Sequence, residues 1–129
     1  MQTILYIHGL IGERILPLLT ILAAIYLTIV WKADAPVNPV ARFFPVLIDI
    51  QVTLGLLYFV YLLFAGGSGR VLSFPFLLHP LIGFIAAGFG HAALKPGGPL
   101  RGLGRWSALV ACLVLLVLVI INVILARMA

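Results

Sequence analysis

The chain has 129 residues, of which 64% are hydrophobic and 9% charged, against about 25% charged in soluble proteins. This excludes an ordinary soluble domain and points to an integral membrane protein. The net charge of +5 comes from basic residues lying between apolar runs rather than on one face, which excludes a nucleic-acid surface and suits charges that orient membrane spans.

Segment one covers residues 3–31, interrupted by Glu13 and Arg14. Residues 15–31 alone are 17 uncharged positions, at the lower end of the roughly 17–25 needed to span. The stretch before them either continues the helix or lies at the interface, and Pro17 marks a kink or a fresh start. No basic n-region precedes this segment, so it is expected to stay in the mature protein rather than leave as a signal peptide. Residues 32–42, with Pro36, Asn38 and Pro39, have the composition of a short connection.

Segment two, residues 43–64, carries Asp49 and Gln51 and stops at the glycine-rich residues 66–69. Segment three is placed at 72–94, with Ser73 as N-cap and Pro75 and Pro80 in a first turn or kink. A helix beginning only at Pro80 would reach about 22 Å, short of a hydrocarbon core of about 30 Å, which argues for the earlier start. Gly83, Ala86, Ala87 and Gly90 give this segment a small-residue packing pattern. After the basic, breaker-rich residues 95–105 comes segment four, residues 106–126, with Asn122 its one strongly polar residue.

The expected fold is all-α: a single transmembrane domain forming an integral membrane four-helix bundle, up-down-up-down, because short loops join neighbouring helices. Lys32, Arg42, Lys95, Arg101 and Arg105 share one side, against Arg14, Arg70 and Arg127 on the other. The positive-inside rule then sets both termini on the outer face of a bacterial inner membrane.

Segments one and three run the same way in that topology. From starts near Gln2 and Leu72, His8 and His79 each lie about 9–10 Å along their helices and so at similar depth. Two imidazoles on facing helices are a candidate axial pair for one b-type haem. His91 is twelve residues beyond His79, about 18 Å further on, so it belongs to the inner side. It has no histidine partner there, and a second bis-histidine haem is not expected.

Asp49 lies at a depth near His91, and a carboxylate inside a membrane segment calls for a partner. Asp49, His91 and the nearby Gln51 form a candidate proton or quinone site, although residues two apart on a helix point in different directions. Simpler roles stand beside these. His8 and His91 suit an interface, Asp49 can pair with Arg42, and Glu13 and Arg14 can snorkel. Trp31, Tyr58, Tyr61 and Trp106 suit aromatic belts. Cys112, the only cysteine, forms no internal disulfide and reads as a small core residue. There is no C-x-x-C-H run for covalent c-type haem. No nucleophile–base set, Walker loop, dinucleotide fingerprint or metal-spaced Cys/His cluster marks a stand-alone enzyme.

On these residues the chain resembles small bacterial four-helix membrane proteins of the cytochrome b-like type. The likeness rests on His8 followed by Arg14, on L-I-D-I-Q-V-T-L-G-L-L-Y-F at residues 47–59, and on His79-Pro80 with His91 twelve residues later. A basic loop and an apolar last helix complete it. The resemblance implies a membrane electron-transfer setting, with haem b, a quinone and the other membrane subunits of a respiratory or photosynthetic complex as cofactors and partners. The chain departs from di-haem cytochromes b in lacking four matched histidines, so at most one haem is expected. A second expectation, from another class, is a haem-free accessory subunit packed against a larger membrane complex. A small proton channel through Asp49 and His91 is a third, weakened by the lack of broken helices and inverted repeats.

Overall fold

The computed structural model describes residues 1–128 and contains helices and turns, with no strand among the described residues. Five helices follow in order: α1 (Gln2–Ile29), α2 (Pro39–Phe64), the single turn α3 (Ser68–Val71), α4 (Leu78–Leu94) and α5 (Arg101–Met128). α1, α2 and α5 have 28, 26 and 28 residues and are apolar enough to cross a membrane. α1 and α2 are each about 40 Å long, against a hydrocarbon core of about 30 Å; α5 opens with a 3-10 stretch kinked at Gly104, and its regular part, Ser107–Met128, is about 33 Å. α4 has 17 residues and is about 25 Å long.

Two helix starts differ from expectation. At α1 the first of the two open alternatives holds: the helix continues past Glu13–Arg14, running through residues Ile11–Ile15 as a π turn. The widened turn accommodates Pro17, which has no N–H for the carbonyl one turn back. α2 begins at Pro39 rather than 43, because the Asn38 side chain accepts from the Val40 N–H at 2.9 Å and Pro39 sits where a missing N–H costs nothing. α4 begins at Leu78 rather than 72. Ser73 does not cap it; its hydroxyl donates to the Arg70 carbonyl at 2.6 Å as part of the turns that follow α3. Pro80 falls in the first turn of α4, where backbone N–H groups have no helical partner in any case.

α5 packs along α1 and α4, and α2 packs along α4 and α1, whereas α1 and α4 share no extensive contact. The buried positions follow helical spacing. They include Leu16, Thr20, Ala23, Ala24 and Leu27 on α1, Phe44, Pro45 and Ile48 on α2, Gly83, Ala86, Gly90, Ala93 and Leu94 on α4, and Ala111, Cys112, Leu115 and Val119 on α5. Many of these are small, which lets helix axes approach. Larger apolar side chains such as Ile25, Ile29, Val117, Ile120 and Ile124 point outward. At one end, the Arg105 guanidinium donates to the Thr28 carbonyl at 3.1 Å and lies 5.6 Å from the Trp31 ring centre. It ties the end of α1 to the beginning of α5.

Candidate functional site

α1 and α4 meet at their histidines. The His8 and His79 ring centres are 5.9 Å apart, with planes at 88° to one another. Each ring is held from behind in the same way. His8 Nδ1 lies 3.0 Å from the Gln51 main-chain carbonyl on α2, and His79 Nδ1 lies 3.1 Å from that of Asn122 on α5. A carbonyl only accepts, so in each contact Nδ1–H is the donor, and a neutral ring then carries its lone pair on Nε2. That is the tautomer in which imidazole binds a metal, with Nδ1 oriented by an outer partner.

His8 is gripped twice. Besides accepting from the ring through its carbonyl, Gln51 donates its side-chain Nε2 to the His8 carbonyl at 2.9 Å. The π turn follows within three residues of His8, and such turns disturb the regular hydrogen-bond ladder and leave carbonyls for other donors. Gly12, inside the π turn, faces the Gln51 amide so closely that a Cβ would collide with it. Gly55, one turn beyond Gln51, lies flat against the His8 ring: a Cβ there would be 2.7 Å from Cε1 and 3.3 Å from each ring nitrogen.

The histidines open onto a cavity of about 370 Å³ whose lining includes Gln51, Gly55, Gly83 and Asn122, within the roughly 300–1,000 Å³ of small-molecule and cofactor sites. Two buried acceptors there, Gln51 Oε1 and Asn122 Oδ1, have no hydrogen-bond partner, and such atoms call for explanation. Glu13, Arg70 and Arg127 also line it. Glu13 does not merely snorkel beside Arg14; its two carboxylate oxygens accept from Arg127 at 2.8 and 3.3 Å.

The expected inner group divides. Asp49 and His91 do meet, Asp49 Oδ2 lying 2.6 Å from His91 Nε2, and Asp49 does not pair with Arg42. Gln51 does not join them, because two residues on along α2 its side chain has turned toward His8. The Asp49 and His91 side chains are 44% and 50% exposed, so this pair faces outward.

Four residues of the site were not singled out from the sequence for it. Asn122 had a signal, as the only amide in a long apolar run. Gly55 and Gly12 had none, since glycines in apolar helices usually serve packing. Arg127 sits at the far end of the chain from Glu13, and no local pattern connects them. Compared with family models, with curated proteins and with solved structures, the chain matches none.

Proposed function

We propose that the chain is a membrane electron-transfer subunit: an up-down-up-down four-helix bundle of a bacterial inner membrane, termini outward, holding one b-type haem between His8 and His79. The observation that carries this is the paired histidine geometry. Two metal–nitrogen bonds of about 2 Å each, plus roughly 1 Å from each ring nitrogen to its centre, set axial imidazoles about 6 Å apart. His8 and His79 stand 5.9 Å apart.

Other features support the same reading. Both Nδ1 atoms are engaged by carbonyls, leaving Nε2 for the iron. Gly55 lets the His8 ring lie against α2, where a Cβ would stand 2.7 Å from Cε1, and Gly83 keeps α4 close to Val52 and Asn122. Arg70 and Arg127 also line this cavity, Arg127 held by the Glu13 carboxylate and Arg70 over the Phe76 ring. When bound, such a group supplies one-electron transfer. The protein's part is to hold both rings, exclude water and set the local dielectric. Three helices long and apolar enough to span, with large apolar side chains outward, support the membrane setting.

The test is a dithionite-reduced minus air-oxidised spectrum of protein purified from its native membrane, with a pyridine haemochrome assay for stoichiometry. The expected result is a b-type alpha band at one haem per chain, lost in His8→Ala and in His79→Ala. Protein that carries no haem overturns the reading in favour of a haem-free accessory subunit.

A further inference from the structure

The chain between α2 and α4 brings one aromatic ring, Phe76, against His79. Val71 at the end of α3 is fully buried and anchors the segment. The Ser73 N–H and hydroxyl both donate to the Arg70 carbonyl, at 3.2 and 2.6 Å, and the His79 N–H donates to the Phe76 carbonyl at 3.1 Å. Phe76 is half-buried and lines the His8–His79 cavity. Its ring lies at 26° to that of Phe59, centres 6.4 Å apart, and the Arg70 guanidinium stands 5.9 Å from its centre. Phe59 is one turn beyond Gly55 on α2, so the two share a face. Held from α2 and α3 in this way, the Phe76 ring meets that of His79 at 62°, centres 6.4 Å apart, within the range of about 4.5–7 Å for edge-to-face pairs.

That contact supplies what a single hydrogen bond leaves open. A bond at Nδ1 fixes one atom of an imidazole, and the ring still pivots about it until a second contact fixes its plane. For His8 the second contact is Gly55, whose missing Cβ lets the ring lie against α2. His79 has its bond to the Asn122 carbonyl, but none of the glycines faces it as Gly55 faces His8. The flat surface against His79 is Phe76. The two imidazole planes stand at 88°, an angle that persists only if both are held.

We propose that Phe76 is the positioning residue for His79, holding its ring plane across that of His8. The assignment rests on the reading of His8 and His79 as a pair of haem ligands; Phe76 itself offers no atom to a metal. The plane of an axial imidazole orients the d orbitals of the iron it binds. Crossed planes in a ferric low-spin centre therefore give one large g value in the electron paramagnetic resonance spectrum, whereas planes turned toward parallel give three well-separated lines.

The experiment uses the full chain purified from its native membrane, with haem content measured first. Haem-bearing parent protein is expected to show the single large-g signal. In Phe76→Ala the ratio of turned to crossed rings is expected to rise about two- to tenfold, the factor that an edge-to-face pair is worth, with haem content retained. Phe76→Leu keeps apolar volume without a flat ring, protects the fold, and is expected to behave as Phe76→Ala does. Leu72→Ala, at an exposed position of the same segment, is expected to keep the parent spectrum. A three-line spectrum in the parent, a parent spectrum in both Phe76 variants, or the same change in Leu72→Ala overturns the assignment. Protein without haem overturns the ligand reading instead, and Phe76 is then tested by carbethoxylation of His79 with diethyl pyrocarbonate, mapped by mass spectrometry. The rate is expected to rise about two- to tenfold in Phe76→Ala and not in Leu72→Ala; an unchanged rate overturns the assignment there.

Discussion

Gly55→Ala separates the role of the His8 ring from the stability of the helices. The new methyl carbon would stand 2.7 Å from His8 Cε1, whereas carbon atoms rest comfortably at about 3.5–4.0 Å. The ring must retreat by about 1 Å, and its 3.0 Å hydrogen bond to the Gln51 carbonyl stretches past useful length. Losing that bond costs about 1 kcal/mol and an off-rotamer side chain about 0.5–1.5 kcal/mol. Replacing glycine inside a helix returns about 0.5–1 kcal/mol. The net cost to folding is therefore about 0.5–2 kcal/mol. Ligation is far less tolerant, since metal–ligand distances hold to about 0.2 Å. Haem content is expected to fall at least about tenfold while circular dichroism and the thermal midpoint stay near those of the parent. Gly88→Ala, with nothing within 4 Å of its new carbon, is the control and is expected to keep its haem. Gly55→Ala protein with full haem and an unshifted alpha band would refute His8 as a ligand in this position.

Other outcomes test the surrounding structure. Gln51→Leu removes the side-chain bond to the His8 carbonyl and is expected to lower stability by about 1 kcal/mol, measured by detergent-induced unfolding. Ala111, fully buried on α5, has no space for a longer side chain. Ala111→Leu is expected to cost about 1–3 kcal/mol in the same assay, and an unchanged midpoint would show that α5 does not pack there as described. Cys112 is 1% exposed and its thiol is expected to resist maleimide until the protein unfolds; rapid labelling in the folded state would contradict its burial.

The long apolar runs made three of the helices legible, because a stretch of that length with no charge has few alternatives. The faces of α5 were not legible, since apolar side chains surround it and a search for polar against apolar finds no stripe. The signal is one of size: Ala111, Cys112 and Leu115 turn inward while Val117, Ile120 and Ile124 turn out. The start of α2 was available in Asn38-Pro39, a capping residue followed by a first-turn proline, but the prolines nearby suggested a loop. Length alone is a poor guide to the start of α4, because α3 and the turns at residues 72–77 precede a shorter helix that does not fill a bilayer by itself. His8 still meets His79 with the later start. What the sequence could not carry was the backing of each ring by a carbonyl, since main-chain acceptors leave no mark in residue types.

The π turn at Ile11–Ile15 gives α1 two phases. An α-helix advances about 100° per residue, and a π turn holds about one residue more than an α turn. The turn thus acts as an insertion whose angular offset separates the facing of His8 from that of the Leu16–Leu27 stripe. Deleting one residue within it would let α1 close into regular helix with His8 and the buried stripe still in phase, because the widened turn takes up about the 100° of one residue. Closing the turn without a deletion would instead swing His8 by about 100° away from His79 and leave the buried stripe in place. The chain therefore tolerates the loss of a residue at this point, whereas a loss in the regular helix after it would put the two ends of α1 out of register.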